Sequence, residues 1–318
     1  MILVSGEALI DLFVDTRDPE AERGRVPATA VVGGAAFNLA FGISRQGARS
    51  GFLGGLSEDG FGRMLASRLE AEGVDISLAK TSRRPTPLAV VATDPEGIPS
   101  YTFHADVAES DLTAEDVPLD LSGIAAIAVG SFPLILEPIG TTLVGLVRRA
   151  ASQCVISVDP NLRLSLVPDL RHWHTRFDGI VRHASIVKVS TEDIDAAYGR
   201  DADEGKIAQR WLDGGAQLVV TTDGPHGATA YHRCGRVKVP GRAIKVVDTV
   251  GAGDTFHAAM LACLARTNRL TREAIAGLDG EGLRILLTEC AVAAGITCSR
   301  RGADLPTLEE VRAALREV

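Results

Sequence analysis

The second half of the chain alternates short β-branched runs with Ala- and Leu-rich stretches of helical period, and that alternation leaves few folds open. Residues 125–129, 155–159, 186–189 and 218–222 read as buried strands. Residues 139–151 and 207–213 read as helical segments between them, and 255–265, 283–296 and 307–316 as helices that follow. Strands separated by helices build a parallel sheet with helices covering both faces.

The first half departs from this rhythm. Residues 2–13 read as one buried strand running through Gly6 to Asp11, and 28–32 alternate until Gly33-Gly34. A helix over 36–46 is stopped by Gly47, a short strand covers 51–54, and an amphipathic helix over 61–72 is closed by Gly73. Residues 85–93 and 99–105 form a hairpin around Asp94-Pro95-Glu96-Gly97. The mixed polarity of these early β segments suits a sheet with one wet face. They are read as a lid, about 11–33 and 85–108, on a single domain covering 1–318. The expected class is α/β: three layers, α/β/α, with a mostly parallel central sheet and a small β-sheet lid.

Composition narrows the function. The 318 residues are 46% hydrophobic but only 4% aromatic, so aliphatic side chains must fill the core. Lys plus Arg total 33 against 41 Asp plus Glu, a net charge of -8. That excludes the broad basic face that nucleic-acid binding needs. No apolar run reaches the length of a membrane span, and the start lacks a basic leader, so a cytoplasmic protein is expected. Five scattered cysteines without a C-x-x-C pair read as reduced thiols.

The stretch richest in chemistry is Asp248-Thr249-Val250-Gly251-Ala252-Gly253-Asp254-Thr255. Small residues let backbone approach a ligand, and the helix that follows begins with unpaired N–H groups and partial positive charge. Together they suit a phosphoryl group. Asp254 at the same helix start is placed to take a proton from a hydroxyl. An acid there also reads as a plain N-cap.

Over its whole length this stretch resembles the C-terminal signature of the PfkB (ribokinase-like) family of carbohydrate kinases, nearest its fructokinase and 2-keto-3-deoxygluconate kinase members. The resemblance implies a sugar kinase with Asp254 as catalytic base and the amides of Gly251, Ala252 and Gly253 as the anion hole. Gly33-Gly34-Ala35-Ala36-Phe37-Asn38 resembles the family's N-terminal signature. Gly34 and Asn38 take the places that contact sugar hydroxyls, and Asp11 that of a substrate-binding acid. Thr222, Gly224 and Gly227 stand in a turn similar to the one that runs along the ATP phosphates. Lys188 and Ser190 precede Glu192 and Asp193 in the segment that organises Mg²⁺ in the family. Here Ser190 replaces Asn and Asp193 replaces Glu, so either acid is a candidate. Asp248 with the Val250 and Gly302 backbone matches parts of a K⁺ site. ATP, Mg²⁺ and K⁺ are the implied ligands.

Two further segments bear on the sugar. Asp159-Pro160-Asn161-Leu162-Arg163 resembles a strand-end motif of the same subfamilies, and Arg163 would reach the far end of the substrate. In the lid, Ala105 stands where an Arg is common, beside His104 and Asp106. Losing that cation favours a neutral sugar, with fructose first. 2-Keto-3-deoxygluconate, ribose, a nucleoside, or a silent sugar-binding regulator of the same fold remain as alternatives. Glu137 resembles a position near the nucleotide. No Walker P-loop occurs, since Gly205-Lys206 runs into Ile207. Exposed apolar faces on the lid would allow a homodimer.

Overall fold

The computed structural model describes residues 1–15, 23–93, 99–104, 107–167 and 169–316. Its centre is an eight-stranded sheet. Ile2–Ser5 lies between Ser50–Leu53, the edge strand, and Ala126–Gly130, and Val155–Asp159, Ile186–Ser190 and Leu218–Thr222 follow in order, all parallel. An antiparallel pair, Ala228–His232 and Gly235–Val239, completes the far edge. Strands such as Ile2–Ser5 and Val155–Asp159 are buried along their whole length, which is why they read as unbroken apolar runs.

One face of the sheet packs on the helices Ala35–Arg45, Ala252–Arg266 and Gly280–Cys298. The other packs on Ile139–Ala150, Leu170–Val181 and Glu204–Asp213, where Trp173, Phe177 and Trp211 form an aromatic cluster. The low aromatic content has its consequence on the first face. There Ala258, Ala259 and Ala262 are fully buried, and a Cβ on Gly42 would stand 2.9 Å from that of Ala258. Small residues let Ala35–Arg45 and Ala252–Arg266 approach closely, and both helices carry residues to the same end of the sheet.

A separate four-stranded sheet forms the lid, in the order Ala28–Gly33, Leu9–Val14, Leu88–Thr93 and Pro99–Phe103. The expected three layers and lid are present, with two corrections. Residues 2–13 form two strands in different sheets, so the lid begins at Leu9. The break is at Gly6, where a Cβ would meet that of Ala36 at 2.8 Å. The edge pair 228–239 lacks the apolar run of the inner strands, because the buried Thr229 and His232 interrupt its first strand and its second, Gly235–Val239, is mostly exposed. The hairpin of 88–103 is as expected, and its turn at 94–97 lies outside the described residues.

Candidate active site

A cavity of about 1040 Å³ opens where the strands of the large sheet end and the lid begins. Parallel α/β sheets place ligands at this carboxyl end. Asp11, Gly34, Asn38 and Arg163 line one part of it; Lys188, Ser190, Glu192, Asp193, Thr222 and Gly224 line another; Val250, Gly251, Gly253 and Asp254 also reach it.

Asp254 sits in the first turn of Ala252–Arg266 but does not cap it. The N-cap is Gly251, left-handed at φ 77°, a conformation glycine adopts without a steric penalty. The Asp254 side chain is held instead by Asn38, whose Nδ2 donates to Oδ2 at 2.8 Å. Burial pushes the Asp254 carboxyl up to about 6; the Asn38 bond and Lys188 pull it down, while Asp159 adds repulsion. A carboxyl poised there is ionised at neutral pH yet basic enough to accept a proton.

The amides beside it correct one expectation. Ala252 N–H donates to the Thr249 carbonyl at 3.2 Å, and Ala252 does not line the cavity. Among the described residues no acceptor takes the amides of Gly251, Gly253 or Asp254. Those three, rather than 251–253, form the open donor set.

Beneath this turn lies an ion pair. Lys188 is buried, and its Nζ donates to Asp159 Oδ2 at 2.7 Å. Burial opposes its charge, but Asp159, then Asp193 and Asp254, outweigh burial and raise its pKa. A Cβ on Gly253 would stand 3.1 Å from Nζ, so the glycine admits the ammonium against the helix start. Asp193 accepts from Leu162 N at 2.9 Å, and its carboxyl is raised by burial and by Asp159. Ser190 is spent on local structure: its Oγ accepts from Asp193 N and caps Thr191–Tyr198. Glu192 is exposed at the cavity wall.

Asp11 lies within the lid strand Leu9–Val14, and its carboxyl is raised to about 6 by burial, with Arg163 opposing. Gly33 makes room for it, since a Cβ there would stand 2.3 Å from Asp11 Oδ2. Arg163 is exposed and makes only long contacts to the Asn161 and Leu162 carbonyls, 3.5 and 3.4 Å. Gly34 faces Glu7, whose carbonyl would be 2.7 Å from an added Cβ.

Four more expected positions lie outside the cavity lining. Gly227 is a packing glycine outside the cavity lining, at φ 93°, and a Cβ would meet the Val239 carbonyl oxygen at 2.0 Å. Asp248 and Gly302 also lie outside the lining. They do come together with Val250: Asp248 accepts from Val250 N at 3.1 Å and Gly302 N at 2.8 Å. Glu137 pairs with Arg176 on the surface, away from the cavity. Ala105 and Asp106 lie outside the described residues.

Sequence reading missed Glu7, Asp159 and the apolar wall of Leu9, Phe103 and Phe132. Glu7 is buried, accepts from Ala35 N at 2.9 Å, and has its carboxyl raised by burial to about 7. An acid inside an otherwise apolar strand exit was the available signal. His257 is buried and bonded to Ser157 Oγ at 2.7 Å.

The comparisons bear on the family and the fold. Residues 1–310 match the model of the pfkB family carbohydrate kinases. A fructokinase of Rhizobium leguminosarum bv. trifolii is 38% identical over 286 residues, 89% of this chain and 86% of that protein. A Xylella fastidiosa fructokinase with bound ATP superposes with a TM-score of 0.90 at 27% identity, covering 99% of this chain and 98% of that one. A Vibrio cholerae O395 fructokinase, in fructose, ADP and calcium ion bound form, has a TM-score of 0.83 at 25% identity, covering 99% and 98%. A lidded, mostly parallel three-layer fold, an open amide turn with its acid, and these likenesses over nearly the whole length lead to one assignment: the chain belongs to the pfkB family of carbohydrate kinases and phosphorylates a sugar.

Proposed function

We propose that the sugar is fructose and the phosphoryl donor ATP. The observation that carries the chemistry is Asp254, held by Asn38 beside the open amides of Gly251, Gly253 and Asp254. Asp254 accepts the proton of the sugar hydroxyl as its oxygen attacks the terminal phosphorus of ATP, and the amides face the charge that develops on the phosphoryl oxygens. Asp11 and Asn38 accept and donate hydrogen bonds at the sugar, and Arg163 sits at its far end. Thr222 and Gly224 border the path of the phosphates.

A neutral sugar fits the charges. Glu7, Asp11 and Asp254 stand around this end of the cavity with Arg163 as the exposed cation among them. A sugar acid would meet repulsion there. Leu9, Phe103 and Phe132 offer an apolar wall to C–H faces. The fructokinase relatives point to the same substrate.

Oxygen donors suit the implied ions. Asp193 and Glu192 would hold Mg²⁺, which when bound offsets the charge of the ATP phosphates. Asp248 keeps lone pairs beyond the two that its amide partners use, and with the Val250 and Gly302 backbone would hold K⁺. We also infer that the exposed Val26 and Val31 on the lid pair with a second copy. Val31→Lys then yields a monomer in sedimentation, and an unchanged profile overturns the pairing.

The deciding assay follows ADP release with fructose, ribose, 2-keto-3-deoxygluconate and adenosine in parallel. Fructose should give the highest kcat/KM, and a clear preference for another acceptor overturns the substrate. Asp254→Asn should lower kcat by roughly 10²–10⁴ with ATP binding intact. Retained turnover would remove Asp254 as the base.

A further inference from the structure

A second, much smaller cavity of about 20 Å³ lies against Asp254, lined also by Asp159, Ser131 and His257. That is room for one water molecule, provided that polar partners meet it. They do. Asp159 Oδ2 is taken by Lys188, but Asp159 Oδ1 is buried and has no donor among the described residues. A buried acceptor left unpaired is unfavourable by about 1–3 kcal/mol, so such atoms normally have a partner. His257 does not supply one. Its Nε2 is engaged with Ser157 Oγ at 2.7 Å, and its Nδ1 is 4.0 Å from Asp159 Oδ2, beyond hydrogen-bond reach. Asp254 has Oδ2 committed to Asn38. Two carboxylates, each with one oxygen already paired, therefore border one water-sized space.

We propose that a single buried water fills this cavity, donating one hydrogen to Asp159 Oδ1 and the other to Asp254, and so bridges the two carboxylates. Water is the ligand that matches: two donors for two acceptors, in a space too small for a sugar or nucleotide group. The bridge orients the Asp254 carboxyl from below while Asn38 orients it from the side. It also offsets the repulsion from Asp159 that raises Asp254. The other charged or titratable groups around Asp254 are Lys188 on the strand Ile186–Ser190, Arg163 on the loop after Val155–Asp159, Glu7 at the lid connection and His257 on the same helix as Asp254. His257 is held neutral, its pKa lowered to about 3 by burial and Lys188. The kinetic consequence rests on Asp254 being the base; the water site does not.

The first test is a high-resolution crystal structure. It should show one peak within hydrogen-bond distance of Asp159 Oδ1 and an Asp254 oxygen. An empty cavity, or a peak with metal–oxygen distances, overturns the proposal. The second test uses Ala128, a fully buried residue of the cavity wall outside the catalytic set. Ala128→Val places methyl groups in the space, whereas Ala128→Ser offers a hydroxyl there. With the water displaced, the acid limb of kcat for Ala128→Val should move up by about one pH unit, a tenfold change in proton affinity, with sugar KM unchanged. Ala128→Ser should keep the parent profile. A merely structural defect would lower the folded fraction without moving the limb's midpoint. If the methyl groups occupy the cavity and the limb stays in place, the bridge is wrong. If Ala128→Val fails to fold, the density in the parent crystal decides. Full turnover by Asp254→Asn would defeat the base assignment and leave the crystallographic result standing.

Discussion

Asn38 and Asp254 are 216 positions apart and share a hydrogen bond of 2.8 Å, from Asn38 Nδ2 to Asp254 Oδ2. Two helices that pack through small residues bring them together, so one bond ties the Gly33-Gly34 turn to the glycine-rich turn at 251–253. Asn38→Ala removes a donor to a carboxylate, an interaction of about 1.5–3 kcal/mol. Its kcat/KM for sugar should fall by roughly 10–100-fold, the same free energy expressed as a rate. Steady-state kinetics at pH 8 check this, and a variant within twofold of the parent would show that the bond is incidental.

The Asp254 carboxyl lies at about 6 instead of its ordinary 3.8, chiefly through burial. Ionised Asp254 is the form that accepts a proton, so kcat should fall about tenfold per pH unit below pH 6 and level off above it. Stability runs the other way. Between pH 4 and 6 the folded state binds more protons at this group than the unfolded chain, so its contribution is present at low pH and lost as pH rises through the window. Asp254→Asn should therefore melt at a higher temperature than the parent at pH 8, with the gap closing towards pH 4. Calorimetry at the two pH values reads it, and a constant difference would refute the linkage.

Lys188 is a buried cation facing Asp159, Asp193 and Asp254. Removing one partner of such a group leaves uncompensated charge, at about 3–5 kcal/mol. Lys188→Met should lose stability of that order in urea unfolding at neutral pH. Adding Asp159→Asn should restore part of it without restoring kcat, because the charge balance around Asp254 stays altered. Recovery of both together would make the pair structural only.

The parts of the site carried by contiguous residues were readable in the sequence. A glycine-rich turn entering a helix is local, and so are the alternating strands that place it. What local sequence does not reveal is which neighbour claims a polar group. Ser190 reads as a ligand until its hydroxyl is found capping its own helix, and Ala252 reads as a donor until Thr249 takes its amide. Asp159 lies within a motif noticed for Arg163, yet its importance comes from Lys188, 29 residues away. Glu7 sits on the connection between two sheets that the apolar pattern runs together as one strand. Each of these depends on packing between distant segments, which period and propensity do not encode.

Gly227 separates a glycine needed for ligand from one needed for packing. Its φ is 93°, and an added Cβ would stand 2.0 Å from the Val239 carbonyl oxygen, within the turn that joins Leu218–Thr222 to Ala228–His232. Gly224, at φ 42°, borders the cavity and has nothing within 4 Å of such a Cβ. Gly227→Ala must shift backbone and hold a non-glycine residue in a disfavoured region, a strain of about 1–3 kcal/mol. It should lower the melting temperature while the folded enzyme keeps the parent KM for ATP. Gly224→Ala carries the same backbone strain at positive φ but meets no clash, so it should lose less stability than Gly227→Ala and raise the KM for ATP, because its methyl group projects into the space that the phosphates cross. Thermal unfolding and ATP titration of the two variants side by side read the contrast. A raised KM in Gly227→Ala at full stability would return that residue to the nucleotide site.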